Sequence, residues 1–319
     1  MTDLVIASQL PADINAKLAA RLPHARIVAI APGTPEGVPA DASILFAAPM
    51  RLKGRHVPET PPAGWPWRLQ WVQLFSSGID AYPGWLFELP VATGRGSSAP
   101  AITEFVLAAI FAAAKQLPGI WLSDASQFDF AKRPKLASVR GSTIGIVGFG
   151  AIGSELARRA IGLGADVVAV RRSAEPFDVP GVRRAASLAA LFAESDHVVL
   201  AAPLSAATRH LVDARVLAAA KPGLHLINIA RGGLVDTDAL AAALDDGRVA
   251  LASLDVTEPE PLPAGHPFYS HPRVHLSPHI STSSPDLFDR VIDIFLHNLQ
   301  ARRDGRPLTN LVHLEGTAQ

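Results

Sequence analysis

Cysteine is absent from the 319 residues, which excludes a disulfide framework, a thiol nucleophile and any cysteine-ligated metal. Net charge is missing too. The 29 Lys+Arg offset 29 Asp+Glu, so no bulk field draws nucleic acid or an anionic membrane, and anion binding must come from local clusters. No apolar run approaches the roughly 20 residues that cross a bilayer, and Met1–Ile6 has neither the basic nor the apolar stretch of a secretory leader. These absences predict a cytoplasmic protein with no membrane and no nucleic-acid partner. What the chain has in quantity is apolar surface: hydrophobic residues make up 49%, enough at this length to fill two cores.

The first hundred residues alternate short apolar runs with helical patterns. Leu4–Ala7, Ile27–Ile30, Ile44–Ala47 and Trp71–Phe75 read as strands and Ala12–Leu22 as an amphipathic helix, an alternation that predicts a parallel sheet covered by helices. Pro58 to Trp67 is too rich in proline and glycine for either element and reads as a loop. Ala101–Leu117 is apolar almost all round, so it is buried in a core or in a subunit interface. A second series of strands and helices begins at Thr143. Its strands are expected at Thr143–Val147, Val167–Val170, His197–Ala201, His225–Ile229, Leu251–Asp255 and Val274–Leu276, with a closing helix over Asp286–Arg303.

The first strand of that series runs into Gly148-Phe149-Gly150-Ala151-Ile152-Gly153 and then into a helix. One glycine makes the tight turn, one lets backbone approach a pyrophosphate, and one lets helix and strand pack closely. The N–H groups of Ala151, Ile152 and Gly153 then open the helix, where free donors and a positive dipole end favour phosphate. With a strand before, a helix after and a second strand at the expected distance, the pattern predicts a dinucleotide site. The end of the second strand bears on which dinucleotide. An NAD site carries an acid about 20 residues past the glycines, and here the strand ends in Arg171-Arg172-Ser173, with Glu175 four residues too late. Such a turn is either solvated or a receptor for a 2′-phosphate, because guanidinium pairs with phosphate through charge-assisted bonds. We expect NADP(H) in preference to NAD(H).

Three further strand ends carry polar residues. They are Asn228-Ile229-Ala230-Arg231-Gly232-Gly233, then Leu254-Asp255-Val256-Thr257-Glu258-Pro259-Glu260-Pro261-Leu262, then Ser277-Pro278-His279-Ile280-Ser281. Taken singly, His279 reads as a structural histidine, Glu260 as an acid in a surface turn and Arg231 as a salt-bridging residue. Together with the glycine turn, their order and approximate spacing resemble the D-isomer-specific 2-hydroxyacid dehydrogenase family, from about Ser76 to His279.

That resemblance implies Arg231, Glu260 and His279 as the catalytic trio, Glu260 being preferred to Glu258 because it lies five residues after Asp255. It also implies cofactor contacts from Pro203, Thr208, Ala230, Asp255 and Ser281, and no metal. Elementary chemistry agrees. Reducing a 2-keto acid needs a proton at the carbonyl oxygen as hydride reaches carbon, and histidine, with a reference pKa of about 6.5, is suited to give it. A carboxylate favours the imidazolium, and an arginine can grip the substrate's carboxylate and ketone oxygens. The resemblance implies an α/β fold of two doubly wound parallel-sheet domains, a Rossmann cofactor domain (100–285) inserted into a flavodoxin-like substrate domain (1–99 and 286–319), with catalysis in a cleft that closes on ligand.

On the substrate side, Leu74–Asp80 is either a plain turn or, by the same resemblance, a cradle in which Ser77 and Gly78 receive the substrate acid. Where the family commonly reads Val-x-Asn-x-x-Gly the chain has Val91-Ala92-Thr93-Gly94-Arg95-Gly96, with Thr93 in place of asparagine and Arg95 in place of a frequent proline. The loop after Ile44–Ala47 offers Met50 and Leu52 to an apolar pocket and Arg51 or Lys53 to a second anion, or else makes no contact. Glyoxylate and hydroxypyruvate are the expected small substrates, as for NADPH-using members, and a homodimer is expected through Ala101–Leu117. Two other functions are open to such a chain: oxidation of another small anion such as phosphite, and dinucleotide sensing by a regulatory protein. Formate oxidation is disfavoured, because glutamine would stand in place of Glu260. The short tail Leu311–Gln319 argues against the sensor, whose relatives carry long extensions.

Overall fold

A computed structural model describes residues 4–33, 35–49, 59–129, 131 and 133–313. The chain divides into two compact units, Met1–Ser97 with Ser284–Gln319, and Ser98–Ser283.

In the first unit five strands form one sheet: β1 (Leu4–Ser8), β2 (Ala25–Ala29), β3 (Ile44–Ala47), β4 (Trp71–Leu74) and β5 (Val91–Ala92). Their order is β2-β1-β3-β4-β5, every pairing parallel. This is the flavodoxin-like arrangement, with α1 (Ala12–Arg21) crossing between the first two strands. β3 and β4 are buried at every position, so neither shows the alternation of a half-exposed strand, although the polar Gln73 interrupts the apolar run of β4. The C-terminal helix, which we number α7 (Leu287–Arg303), returns to this unit and packs Val291, Ile292, Phe295 and Leu299 against Ile6, Phe46 and Trp71. Phe295 lies 5.0 Å from the Phe46 ring and 5.5 Å from that of Trp71. Buried Asn298 on the same helix donates to Gln73 Oε1 (3.2 Å) and accepts from the Thr309 N–H (2.8 Å), so the chain after α7 is tied to β4.

The second unit holds a seven-stranded sheet. Its strands are β6 (Thr143–Val147), β7 (Asp166–Val170), β8 (Val182–Arg184), β9 (His197–Leu200), β10 (Leu224–Asn228), β11 (Val249–Leu254) and β12 (Val274–Leu276). The order β12-β11-β10-β9-β6-β7-β8 is the doubly wound Rossmann order with one extra strand, and the chain reverses direction across the sheet between β6 and β9. The crossings include α3 (Ala151–Gly162), α4 (Leu188–Glu194), α5 (Ala214–Ala218) and α6 (Thr237–Asp245). Ser187, Asp213 and Asp236 cap α4, α5 and α6 by accepting first-turn N–H bonds, which fixes where each begins. Preceding β6 is α2 (Ala99–Lys115). Its Ile102, Val106, Ile110 and Ala114 pack with Ile144, Ile146, Leu156 and Ala160, so one face of the helix is buried in the core of its own unit. Among the described residues, no helix is long and apolar enough to cross a membrane.

One polar feature runs through the second core. His197 Nδ1 lies 3.2 Å from His225 Nδ1, and His225 Nε2 lies 2.9 Å from Ser253 Oγ, across β9, β10 and β11. Both rings are buried. Desolvation pushes the His225 pKa down to about 3, helped by repulsion from His197 and His275. Desolvation also lowers that of His197, against the opposing pull of Asp196. Both rings are therefore neutral near pH 7, one Nδ1–H donating to the other Nδ1.

Candidate active site

The residues singled out by sequence in the second unit all fall at one edge of its sheet. Following strand order, they are His279 after β12, Asp255 and Glu260 after β11, Arg231 after β10, Pro203 and Thr208 after β9, the glycine turn after β6, and Arg171–Ser173 after β7. Carboxyl ends at a topological switch point are where an open α/β sheet binds its ligands.

His279 Nδ1 is 2.7 Å from Glu260 Oε1, and both side chains are about 40% exposed (40% and 42%). An ionised carboxylate only accepts, so Nδ1 carries the proton and Nε2 is left to exchange one. Glu258, two residues earlier, is engaged elsewhere: its oxygens take Arg209 Nη1 (3.1 Å) and Nη2 (2.7 Å). Backbone direction at His279 is set by Asp255. The Asp255 carbonyl accepts the His279 N–H (2.9 Å), while its carboxylate accepts from Ser277 Oγ (2.6 Å), Ile280 N–H (2.9 Å) and Ser281 N–H (2.9 Å). Burial pushes the Asp255 carboxyl up, but the bonds from Ser277, Ser281 and Ile280 outweigh it and hold the group below the usual carboxylate range. This knot holds His279 at φ +53°, in the left-handed region.

Arg231 is held in a comparable way. Buried Asn228 donates to the Arg231 carbonyl (2.9 Å) and accepts from the Ala230 N–H (3.1 Å), and Arg231 Nη1 donates to the Ala230 carbonyl (2.7 Å). A Cβ on Gly232 would lie 2.0 Å from the Thr257 carbonyl carbon, so only glycine lets the turn after Arg231 press against the segment leading to Glu260.

The glycine turn fits a dinucleotide. Gly148 has φ +94°, and a Cβ there would stand 2.6 Å from the Ala202 amide nitrogen, so no other residue can make the turn. Gly150 is the N-cap of α3 and brings no side-chain acceptor, which leaves the first-turn N–H groups of Ala151, Ile152 and Gly153 for an anion. Thr208 Oγ1 closes the loop opposite by accepting from the Ser205 N–H and donating to the Pro203 carbonyl, each at 2.7 Å.

At the end of β7 the arginines divide. Arg171 turns inward and donates to the carbonyls of Glu175 (2.8 Å) and Pro176 (2.9 Å), with its guanidinium 5.3 Å from the Phe177 ring. Arg184 of β8 covers the same ring at 4.5 Å and donates to the carbonyls of Ser173 and Glu175. Arg172 and Ser173 are exposed. Sequence reasoning treated Arg171 and Arg172 alike; in the fold Arg171 braces the loop and Arg172 lies on its surface.

Residues 107–281 match the model of the NAD-binding domain of the D-isomer specific 2-hydroxyacid dehydrogenases. The chain belongs to this family. It is 38% identical over 224 residues to the (S)-sulfolactate dehydrogenase of Chromohalobacter salexigens, covering 67% of this chain and 70% of that protein. To the glyoxylate reductase of Thermococcus gammatolerans it is 40% identical over 178 residues, 56% of this chain and 53% of that one. Among solved structures, the D-isomer specific 2-hydroxyacid dehydrogenase of Xanthobacter autotrophicus Py2, in complex with NADPH and MES, superposes with a TM-score of 0.79 at 26% identity over 98% of each chain. The protein is thus an NAD(P)-dependent dehydrogenase of this family.

In the first unit of the dehydrogenase, Ser77 and Gly78 follow β4, Ser77 exposed and Gly78 half-buried. The loop is shaped by Ser76, whose Oγ donates to the Gly78 carbonyl (2.7 Å) and lies 3.1 Å from Tyr82 Oη. Met50, Arg51, Leu52 and Lys53 lie outside the described residues. Sequence reasoning did not single out Ser277, Arg184 or the role of Asn228. Asn228 and Ser277 stood inside the quoted motifs, but short polar residues beside a strand end give no signal until their partners are known.

Proposed function

We propose that this dehydrogenase reduces a small 2-keto acid of the glyoxylate or hydroxypyruvate kind to the D-2-hydroxy acid with NADPH, His279 delivering the proton. The observation that carries this reading is the 2.7 Å His279–Glu260 pair on the carboxyl edge of the sheet, one loop from Arg231 and on the same edge as the glycine turn. The bound cofactor supplies hydride at the carbonyl carbon. His279 Nε2 gives its proton to the carbonyl oxygen, and Glu260 steadies the ring at Nδ1 throughout. Arg231 orients the keto acid and offsets negative charge developing on the oxygen, while Ser77 and Gly78 receive its carboxylate. In oxidation neutral Nε2 takes the proton from the hydroxyl. The glyoxylate reductase named above supports the substrate class.

For the cofactor, we assign the 2′-phosphate to Arg172 and Ser173, with Arg171 and Arg184 shaping the loop beneath. A panel of keto acids followed at the cofactor's absorbance tests both parts. Reduction of glyoxylate or hydroxypyruvate is expected, with kcat/KM at least tenfold higher for NADPH than for NADH. Arg172→Ala should cost NADPH about tenfold, the value of one charge-assisted bond, and NADH less than about twofold. Comparable kcat/KM for the two cofactors in the unaltered enzyme would overturn the preference.

The dehydrogenase also carries apolar surface that one chain does not cover. Phe111 on α2 is exposed, and in the segment after it Trp121 is 69% and Phe128 60% exposed, with Leu122 and Leu136 also in the open. We assign this face to a homodimer that continues the α2 surface. Light scattering at micromolar concentration should give twice the chain mass, and a Trp121→Asp/Phe128→Asp variant should give one chain mass. A monomer in the unaltered protein would sink this assignment.

A further inference from the structure

The loop after β5 places a cation beside the segment read above as the carboxylate cradle. β4 and β5 are parallel neighbours, so their carboxyl ends open on one edge of the sheet. The Gly94 N–H donates to the Ser76 carbonyl at 3.0 Å, and a Cβ on Gly94 would lie 2.2 Å from the Phe75 oxygen, so the two loops are in backbone contact. Arg95 is the next residue. Its main chain is fixed on both sides: the N–H points to Thr93 Oγ1 (3.4 Å), and the carbonyl accepts from Asn310 Nδ2 (2.9 Å). Thr93 is itself bonded through its N–H to the Asn310 carbonyl (3.0 Å), so the C-terminal segment laces the whole loop. The side chain is treated differently. Arg95 is exposed, and among the described residues its guanidinium has neither a hydrogen bond nor an ion pair.

A backbone fixed in this way, carrying an exposed arginine in the loop packed on the proposed carboxylate cradle, is suited to a ligand with more than one anionic group. The first group occupies Ser77 and Gly78. A second, at the far end of a short molecule, meets a planar fork of donors that fits a carboxylate or sulfonate. A monoanion such as glyoxylate has nothing to offer it. We propose that Arg95 is a specificity-determining residue that engages a second oxyanion on the keto acid, so that short dianionic 2-keto acids are favoured over monoanionic ones. This rests on the reading of the chain as a 2-keto acid reductase with its carboxylate cradle at Ser77 and Gly78.

The test compares kcat/KM for sulfopyruvate and oxaloacetate with that for pyruvate, in the unaltered enzyme and in Arg95→Ala and Arg95→Lys. Arg95→Ala is expected to lower kcat/KM for the dianions about tenfold, through KM, and for pyruvate less than about twofold. Arg95→Lys should recover most of the loss, and salt should shrink the difference in the unaltered enzyme. Equal effects on both classes, or none on either, overturn the proposal. Binding separates its failure from that of the catalytic reading. Tartronate and glycolate are titrated calorimetrically into enzyme saturated with NADPH, where neither can be oxidised. If no keto acid is turned over but Arg95→Ala weakens tartronate about tenfold and spares glycolate, the reductase reading falls and the Arg95 assignment stands. Equal changes for the two ligands sink it.

Discussion

Replacing His279 by alanine is expected to lower kcat for keto-acid reduction about 10³-fold, within the range a positioned general acid contributes, while the Kd for NADPH stays within about twofold. KM should barely move, because proton delivery is an interaction made only in the transition state. Glu260→Gln should cost about 10- to 100-fold in kcat. The amide can still touch Nδ1, but it no longer carries the charge that steadies an imidazolium. Glu258→Gln is the matched control. Glu258 pairs with Arg209 and not with the imidazole, so its removal should change kcat less than about threefold. Steady-state kinetics with a saturating cofactor decide the matter. A His279→Ala enzyme keeping more than a tenth of kcat would remove the histidine from the chemistry.

The second large effect concerns the fold. With its pKa near 3 in the folded state, His225 refuses the proton that the unfolded chain binds below the ordinary histidine value of 6.5. Stability is therefore complete above pH 6.5 and is lost as pH falls from there toward 3, at about 1.4 kcal/mol per pH unit for each such proton. By pH 4.5 the loss from His225 alone is about 3 kcal/mol, and His197, shifted the same way, adds to it. Protonating both rings would also set two Nδ1–H groups against each other at 3.2 Å. The carboxyls held low, Asp196 and Asp255 among them, act in the next window down. Their contribution is present above the ordinary carboxylate range and fades only below it. Urea unfolding followed by circular dichroism between pH 7 and 4.5 thus isolates the histidines. His225→Leu should begin less stable at pH 7, since it strands Ser253 Oγ, yet lose about 1.4 kcal/mol less per pH unit. Equal slopes in the two proteins would refute the coupling.

The site was legible where its chemistry is written in contiguous residues. Gly148 to Gly153 and the Arg231 stretch declare themselves because a turn against a neighbouring backbone tolerates nothing else. Strands β3, β4 and β6 were legible because burial on both faces keeps them largely apolar without alternation, with Gln73 in β4 and Thr143 at the start of β6 the polar exceptions. β5, two residues long, and β8, with two arginines in three residues, have neither length nor periodicity and were missed. The division of labour between Arg171 and Arg172 was hidden for a different reason. It depends on Phe177 and the Glu175 carbonyl folding back beneath β7, which no spacing rule encodes. The family resemblance preferred Glu260 to Glu258, and it is Glu260 Oε1 that lies 2.7 Å from the His279 imidazole, while Glu258 pairs with Arg209.

The left-handed backbone at His279 has a consequence for how such a protein can change. An L-residue there carries about 1 kcal/mol or more of strain that glycine would not, and the Asp255 knot absorbs it. On strain alone the fold would therefore favour glycine over the imidazole at this position, and the dinucleotide turn proposed at Gly148–Gly153 lies on a separate loop. Under the role proposed for His279, selection on turnover is what opposes that change. Where that selection relaxes, the enzyme proposed above has a ready descendant, a less strained protein that keeps the dinucleotide turn and lacks the imidazole.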